Sequence, residues 1–288
     1  MTDLERLQQE IRAACPNLNI ADLQRLSSGQ HCDVLLVNET LIFRFPLYAD
    51  GRAGLRREVA VLEGLQDRLP LPVPTRLFHQ LEEPHPFVAC TRLPGAPLWR
   101  DTMAAIVDED IVERLATQLT GFLRALHSLP VKTIAAPLPL ADTRAVYADR
   151  YARIRQHLFP RMRPAAREQV AAHFEPWLAD PANFAWQPVL RHGDFGTDNL
   201  LYDAEKGEIC GILDFDSLGL GDPAVDYAGL LASYGADFLQ RCARFNPDLP
   251  SMQERVHFHY GTFALEEALF GYEHGDEAAF AAGMANYV

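Results

Sequence analysis

The segment between residues 192 and 215 constrains the fold of this chain more than any other part of its sequence. It contains Asp194, then Asn199 five positions later, then Asp214 fifteen positions after that, at the end of an apolar run. The apolar stretches on either side of a turn at 205–207 read as two short strands. Such a hairpin would carry Asp214 back beside Asn199. The sequence therefore predicts one compact polar site, built by a loop and the hairpin that follows it.

These residue types are the ones that phosphoryl transfer requires. A carboxylate can take the proton of an acceptor hydroxyl, which we assign to Asp194. An amide and a carboxylate oxygen can hold Mg²⁺ on nucleotide phosphates, and two protein ligands are enough because Mg²⁺ keeps several waters. We assign these places to Asn199 and Asp214. The alternative is that Asp194 and Asn199 only cap turns, as Asp and Asn often do, but the complete ordered set favours the site.

The chain also resembles a known family, the aminoglycoside phosphotransferases, and most closely their 2''-phosphorylating branch. The residues that carry the resemblance are H-G-D-F-G-T-D-N at 192–199, I-L-D-F at 212–215, G-D-P-A-V-D at 221–226, L-S-S-G at 26–29, F-R-F-P at 43–46 and R-E at 57–58. The resemblance implies an α+β, two-lobed protein-kinase-like fold. Residues 1–93 would form a small β-rich, nucleotide-binding N-lobe. Residues 94–288 would form a larger, mostly helical C-lobe with the catalytic loop, the metal site and the acceptor site.

The resemblance further implies a Mg²⁺-dependent enzyme that moves the γ-phosphoryl group of ATP or GTP to a hydroxyl of a small, cationic molecule such as an aminoglycoside. Two alternatives remain open from the residues alone. One is a kinase for another small metabolite, such as an amino alcohol or a sugar. The other is a catalytically silent pseudokinase that binds nucleotide. The motif specifies the reaction more closely than it specifies the acceptor.

The order of apolar patterns agrees with this organisation. Short apolar runs up to residue 93 predict strands, with a turn at Asn38-Glu39 and one helix at 52–66 among them. The stretch Pro94-Gly95-Ala96-Pro97 is the predicted linker. Beyond it, Asp108 is expected to cap a long helix with a buried apolar stripe. Residues 142–180 predict further helices, as does the C-terminal part of the chain.

The phosphate-binding residues are predicted from one loop and one strand. Ser27, Ser28 and Gly29 lie between two predicted strands, where backbone N–H groups and hydroxyls could face phosphates; a plain hairpin is the alternative. Kinases place a Lys on the third strand and pair it with a helix Glu. The chain has only two lysines, both after the linker, and the strand position is Arg44. A lone charge in an apolar strand needs a partner, for which Glu58 is predicted.

The remaining predicted site residues concern the nucleotide base and the acceptor. Residues 90–93 would form the hinge that reads the base edge, with Thr91 and Leu93 as the contacts. For a cationic acceptor the predicted contacts are acids in the catalytic loop and on a C-terminal helix: Asp198, Glu266, Glu267 and Glu273. By i,i+4 and i,i+3 spacing, Glu266, Phe270 and Glu273 share one face of that helix. An exposed helix face would give the same pattern, so both interpretations of the helix acids stay open.

Composition excludes several other classes. The chain carries 26 basic and 39 acidic residues, for a net charge of −13, which disfavours nucleic-acid binding and favours a cationic ligand. No apolar stretch is long enough to predict a membrane span. Five widely spaced cysteines, without a C-x-x-C pair, predict reduced thiols. We therefore expect a cytoplasmic monomer or weak dimer with no nucleic-acid or membrane partner.

Overall fold

The structure is a computed structural model that describes residues 3–28, 32–47, 49–82 and 86–288. The helices are α1 (Asp3–Ala14), α2 (Ala49–Leu65), α3 (Arg100–Ala104), α4 (Glu109–Ser128), α5 (Arg144–His157), α6 (Pro164–Ala179), α7 (Ala224–Cys242), α8 (Leu249–His274) and α9 (Glu277–Met284). The strands are β1 (Leu23–Ser28), β2 (Cys32–Val37), β3 (Leu41–Pro46), β4 (Arg76–Gln80), β5 (Phe87–Thr91), β6 (Ala96–Pro97), β7 (Val189–Arg191), β8 (Leu200–Asp203), β9 (Glu208–Ile212) and β10 (Gly219–Gly221). In the part of the chain covered by these ranges, no helix is long and apolar enough to cross a membrane.

The chain divides into two compact units. The first comprises Met1–Leu138 and His192–Leu218, and the second comprises Pro139–Arg191 and Gly219–Val288. The catalytic segment predicted from the sequence lies in the first unit. The assignment of a nucleotide-binding N-lobe to residues 1–93 and of a C-lobe to the remainder stays a prediction.

The first unit is built on an antiparallel five-stranded sheet with the strand order β1-β2-β3-β5-β4. The predicted turn between β2 and β3 is confirmed, because Asn38 and Glu39 both adopt positive φ, at 51° and 59°. This is the conformation that a tight hairpin turn requires. Apolar side chains of β2, β3 and β5 pack with α1 in one buried cluster, which includes Phe43 and Phe87. The sheet thereby fixes the position of Arg44 on β3.

The predicted linker at 94–97 is only partly correct. Ala96 and Pro97 form strand β6, in which Ala96 pairs with Tyr202 and Pro97 pairs with Leu201. Proline and glycine indicated a break in regular structure, but they did not exclude a two-residue strand that pairs with a distant hairpin. Beyond this strand, α4 begins as predicted, because the Asp108 side chain accepts a 2.9 Å hydrogen bond from the Asp110 N–H.

The second unit consists of α5 to α9 and the short β7–β10 pair. Its core is a buried cluster of side chains from α5, α6, α8 and α9, in which Tyr151 stacks on Phe174 with 4.9 Å between ring centroids. The helices predicted between residues 142 and 180 are confirmed, and α6 begins at Pro164, a residue type that suits the first turn of a helix. Helices α8 and α9 approach so closely that a Cβ on Gly271 would collide with the backbone nitrogen of Phe280.

Candidate active site

The predicted catalytic loop connects β7 to β8. Gly193 takes a φ of 87°, a left-handed conformation that glycine adopts at little cost. Phe195 is buried and stacks on Phe122 of α4, with 5.7 Å between ring centroids. The loop ends in a 3₁₀ turn at Thr197–Asn199. The buried ring of Phe195 therefore anchors the loop between Gly193 and the 3₁₀ turn, and this fixes the backbone next to Asp194.

His192 fastens both ends of the catalytic segment. Its Nδ1 accepts a 3.3 Å hydrogen bond from the Asp194 N–H, and its Nε2 lies 2.8 Å from the Leu213 carbonyl oxygen. An N–H donor at Nδ1 and a carbonyl acceptor at Nε2 fit the neutral tautomer with the proton on Nε2. One imidazole thus links the backbone of Asp194 to the backbone of Leu213, the residue that precedes Asp214.

Asn199 completes the link between loop and hairpin. Its Nδ2 donates to the Asp194 carbonyl oxygen and to Asp194 Oδ2, each at 2.9 Å. Its own carbonyl accepts a 2.8 Å hydrogen bond from the Leu213 N–H. The hairpin predicted from the sequence is present as β8 and β9, whose pairing runs from Leu200 opposite Ile212 to Asp203 opposite Glu208. The structure therefore brings together the three residues that the sequence singled out.

Asp214 has an unusual backbone. Its φ is 57°, which is uncommon for a residue other than glycine, although Asp tolerates it better than most residue types. Its Oδ1 accepts hydrogen bonds from Arg44 Nη2 at 3.0 Å and from the Asp216 N–H at 3.4 Å. Burial raises the pKa of Asp214, but the Arg44 charge and these hydrogen bonds lower it by more. The carboxylate is therefore held in its ionised form.

Arg44 lies at the centre of a group of acids. Its Nη1 lies 2.5 Å from Glu58 Oε1, so the predicted pair is confirmed, and its Nη2 lies 3.0 Å from Asp214 and 3.8 Å from Asp216 Oδ2. Burial lowers the pKa of the guanidinium, but these carboxylates more than reverse that effect, and the pKa stays well above the usual range. Burial raises the pKa of Glu58, against the opposing effect of Arg44. Sequence reasoning missed the contacts to Asp214 and Asp216.

The donor set at Asn199 and Asp214 fits a magnesium ion. The two bonds that Asn199 makes through Nδ2 leave its amide oxygen as the remaining acceptor of that side chain, and Asp214 supplies carboxylate oxygen on a side chain that is 32% exposed. Within the described ranges, no group of three or more His, Cys, Asp or Glu residues is arranged to hold a metal ion. Mg²⁺ prefers oxygen ligands and retains several waters, so that a site with one amide and one carboxylate suits it.

The predicted nucleotide contacts at the hinge and at the phosphate loop are placed only in part. Thr91 ends β5, and its N–H donates to the Thr75 carbonyl oxygen at 2.9 Å, so this N–H already has a backbone partner. Leu93 lies just beyond β5. Ser27 and Ser28 are the last residues of β1, and Gly29 lies outside the described residues. The binding roles of all these residues stay predictions.

The predicted acceptor acids of α8 are paired with arginines of α5. Glu266 Oε1 lies 2.6 Å from Arg150 Nη1, and Glu273 forms an ion pair with Arg153. Glu267 is exposed. The shared face predicted from helical spacing exists, but its two acids are neutralised by a neighbouring helix, which no pattern in the sequence indicated.

The fourth predicted acceptor residue is separate from the α8 acids. Asp198 is exposed within the 3₁₀ turn of the catalytic loop. Its position is compatible with the predicted contact, and the contact itself stays a prediction, as it does for Glu266, Glu267 and Glu273.

The second unit contains a series of buried, hydrogen-bonded polar side chains around Asp222 that the sequence did not predict. Asp222 lies two residues before α7, and its Oδ1 accepts a 3.0 Å hydrogen bond from the N–H of Ala224, the first residue of that helix. Its Oδ2 lies 2.8 Å from Arg255 Nε and 3.2 Å from His259 Nε2. Nδ1 of the same imidazole lies 2.7 Å from the Tyr147 hydroxyl. In the sequence, only the G-D-P motif drew attention to Asp222, and no sequence pattern indicated Arg255 or His259 as its partners.

Comparison with known proteins gives consistent matches over most of the chain. The model of the phosphotransferase enzyme family, abbreviated APH, matches residues 22–255. Viomycin phosphotransferase of Streptomyces vinaceus is 33% identical over 241 residues, which cover 82% of this chain and 81% of that protein.

Solved structures match over nearly the whole length. The GDP and kanamycin complex of APH(2")-IIia superposes with a TM-score of 0.90 at 25% identity, and the match covers 97% of this chain and 96% of that one. Macrolide 2'-phosphotransferase type I superposes with a TM-score of 0.78 at 22% identity, over 100% of this chain and 98% of that one. The predicted α+β, kinase-like fold class is confirmed.

Proposed function

The chain belongs to the phosphotransferase enzyme family, and we propose that it transfers the γ-phosphoryl group of ATP or GTP to a hydroxyl of a small, cationic antibiotic such as an aminoglycoside. The observation that carries the proposal is the convergence of Asp194, Asn199 and Asp214 on one loop and hairpin. The relatives named above support the donor and acceptor classes, because they include phosphotransferases for viomycin and macrolides and a complex with GDP and kanamycin.

Asp194 is the catalytic carboxylate of this proposal. Its side chain is exposed, and Asn199 holds its Oδ2 at 2.9 Å, which restricts the rotation of the carboxylate. An acceptor hydroxyl that docks against it can give its proton to the carboxylate as its oxygen attacks the γ-phosphorus. The bond between that phosphorus and the β–γ bridging oxygen breaks, and the nucleoside diphosphate leaves with the bridging oxygen. A carboxylate fixed in this way contributes positioning as well as basicity, and positioning is a large part of phosphoryl-transfer catalysis.

Asn199 and Asp214 would hold Mg²⁺ through oxygen atoms, and Arg44 would face the nucleotide phosphates. The metal ion supplies charge neutralisation on the phosphate oxygens. Arg44 has several N–H groups, so it can keep its bond to Glu58 while another N–H reaches a phosphate. Asp214 Oδ1 now accepts one of these N–H groups, so nucleotide binding is expected to loosen the Arg44–Asp214 contact.

A specific observation also supports a second candidate, a kinase for an amino alcohol or a sugar. The two α8 acids Glu266 and Glu273 each have an arginine partner, so their charges are balanced before any ligand binds. A strongly cationic acceptor would have to compete with those arginines. A smaller or less charged acceptor would not depend on these acids.

The decisive experiment is an acceptor panel with ATP and GTP in the presence of Mg²⁺. Kanamycin, viomycin, a macrolide, an amino alcohol and a neutral sugar would be compared by release of nucleoside diphosphate and by mass analysis of the acceptor. We expect one antibiotic to gain a phosphate group. Phosphorylation of only the amino alcohol or the sugar would support the second candidate. Nucleotide binding with no transfer to any acceptor and no hydrolysis would support a silent nucleotide-binding protein.

A further inference from the structure

Helix α2 presents one face to two parts of the proposed nucleotide site. They are Arg44, which the proposed function places on the phosphates, and residues 214–216, called the metal loop below because Asp214 is the proposed metal ligand. Gly54, Arg57 and Glu58 share that face, because residues three and four apart in a helix are neighbours on its surface. Glu58 binds Arg44. Arg57 donates from Nε at 3.3 Å and from Nη2 at 3.1 Å to the backbone carbonyl oxygen of Asp216. The same helix face therefore contacts the two elements that the proposed function places on the nucleotide.

The backbone of α2 also lies close to this loop. A Cβ built on Gly54 would come within 3.3 Å of the Asp216 Cβ, a distance at which the neighbouring atom must yield slightly. Gly54 is one helical turn before Arg57, so the close approach and the two hydrogen bonds act on the same residue of the loop. The contact is local to Asp216, two residues after the proposed metal ligand.

From this geometry we propose that Arg57 is a positioning residue for the metal site, and the inference rests on the proposed function of Asp214 as a metal ligand. By holding the Asp216 carbonyl, Arg57 fixes the 214–216 segment against α2. It thereby sets where the Asp214 carboxylate lies relative to Arg44. Arg57 itself touches neither nucleotide nor metal in this role.

The loop needs such a tether because Asp214 has a φ of 57°. A residue in this conformation keeps it only when surrounding contacts determine it. Arg44 also restrains the loop, but it bonds to the Asp214 carboxylate, the group for which a metal ion would compete. Arg57 bonds to a backbone carbonyl, so its contact does not depend on what the carboxylate binds. Of these two arginines, Arg57 is therefore the one that can hold the loop with and without ligand.

The preceding residue supplies a matched control. Arg56 Nη2 donates to the Leu81 carbonyl oxygen at 3.1 Å, a contact outside the metal loop. Arg57→Ala and Arg56→Ala thus remove the same side chain and the same charge from adjacent positions of one helix. Arg57→Lys completes the set, because lysine keeps the charge but cannot direct two fixed N–H groups at one oxygen.

The test measures the affinity of the 288-residue chain for ADP by calorimetry, once with Mg²⁺ and once with a chelator, together with the melting temperature. Mutation of residues that hold metal ligands in place typically lowers metal affinity or activity by about 10–100-fold. We expect Arg57→Ala to weaken ADP binding by about 10-fold or more with Mg²⁺ and to leave the metal-free affinity unchanged. Arg57→Lys should fall between Arg57→Ala and the parent protein. Arg56→Ala should match the parent in both conditions.

Two results would overturn the inference. Arg57→Ala that binds Mg²⁺-ADP as tightly as Arg56→Ala shows that the tether does not position the metal site. Equal weakening with and without Mg²⁺ shows that Arg57 acts on α2 or on the nucleotide directly. If the parent protein itself binds ADP equally well with and without Mg²⁺, the metal assignment of the proposed function fails instead.

Gly54→Ala keeps the inference testable if Arg57→Ala does not fold. Alanine favours a helix more than glycine does, so this change should not lower the melting temperature. Its Cβ would nevertheless press on Asp216. We expect weaker Mg²⁺-dependent ADP binding with unchanged metal-free binding. If Gly54→Ala leaves the Mg²⁺-dependent affinity as it is in the parent, displacement of Asp216 has no effect on the metal site and the inference fails.

Discussion

Two groups of acids in this protein differ in how their charge is balanced. In the first unit, Glu58, Asp214 and Asp216 surround the single guanidinium of Arg44, at 2.5, 3.0 and 3.8 Å. In the second unit, the helix acids Glu266 and Glu273 each have an arginine from α5 as a partner. We call the first group the Arg44 cluster and the second group the α5–α8 pairs.

The difference indicates which contacts a ligand would rearrange. In the Arg44 cluster, Glu58 and Asp214 share one guanidinium, and the proposed function places Asp214 on a metal ion. In the α5–α8 pairs each acid has its own arginine, so the fold accounts for these contacts without a ligand. Ligand binding is therefore expected to alter the Arg44 cluster, whereas the α5–α8 pairs are sufficient as structural contacts.

The largest expected effect is at Asp194, the carboxylate that the proposed function makes catalytic. Asp194→Ala should reduce acceptor phosphorylation by about 10²–10⁴-fold, the usual range for a general base, and leave nucleotide affinity nearly unchanged. Steady-state rates and ADP binding would check both parts. Glu168→Ala, which removes an exposed acid from α6, is the control and should keep the parental rate. Turnover within a few-fold of the parent in Asp194→Ala would show that the catalytic assignment is wrong.

The next largest effect concerns the balance of the Arg44 cluster. Arg44→Ala removes the cation and leaves Glu58, whose side chain is only 3% exposed, without its partner. Breaking a buried ion pair from one side typically costs about 3–5 kcal/mol. We expect a loss of that order in the free energy of unfolding, measured with denaturant, together with weaker nucleotide binding.

The double variant Arg44→Ala/Glu58→Ala separates the folding effect from the binding effect. It should recover most of the lost stability, because the stranded carboxylate is gone. It should not recover nucleotide affinity if Arg44 contacts phosphates. Recovery of both properties would reduce Arg44 to a structural partner of Glu58 and would contradict the nucleotide-site assignment.

The two groups also differ in what the sequence could predict. The hairpin that joins Asn199 to Asp214 is local, so residue spacing and a turn were enough to place it. The Arg44–Glu58 pair followed from one rule, that a charge within an apolar strand needs a partner. The contact between Arg44 and Asp214 spans 170 residues, and no periodic pattern relates positions so far apart. Only tertiary structure reveals it.

The α5–α8 pairs illustrate the same limit in another way. Helical spacing correctly grouped Glu266 with Glu273 on one face of α8. It could not show that α5 brings Arg150 and Arg153 to that face, because the contacts span 116 and 120 residues. The interpretation of that face as an acceptor site considered the charges of α8 alone. The charge of the face depends on its two acids together with their arginine partners from α5.

A smaller effect is expected at Asp222 in the second unit, whose carboxylate contacts Arg255, His259 and a backbone N–H. Burial raises the pKa of Asp222, but hydrogen bonds from His259 and from the Ala224 N–H, together with the Arg255 charge, lower it by more. A carboxyl with a lowered folded-state pKa stabilises the fold above its unfolded-state pKa of about 3.9. This stabilisation is lost as the pH falls below that value.

The corresponding experiment compares the parent with Asp222→Asn. At pH 7 the variant should lose about 1.5–3 kcal/mol, the range for hydrogen bonds to charged groups. Between pH 5 and pH 3, in the region of the ordinary Asp pKa of about 3.9, the variant should lose less stability than the parent does. Denaturant unfolding at each pH would measure both differences. Parallel pH profiles for the two proteins would show that Asp222 does not titrate with folding.

The smallest effect is expected at the outer α5–α8 pair, where Arg153 and Glu273 have side chains that are 41% and 28% exposed. Exposed ion pairs contribute about 0.2–1 kcal/mol, so Glu273→Ala should change the free energy of unfolding by no more than that. The informative measurement is the acceptor KM. If α8 binds a cationic acceptor, Glu273→Ala should raise KM, and Arg153→Ala should lower it by releasing the carboxylate. Asp149→Ala removes the other acid near Arg153, at 3.5 Å, and serves as the control.

Added salt should raise KM only in the cation-binding case, because charges are screened beyond about 10 Å at 0.1 M. An unchanged KM in both variants, with no dependence on salt, would leave Glu273 a structural residue and would favour an acceptor that carries little charge.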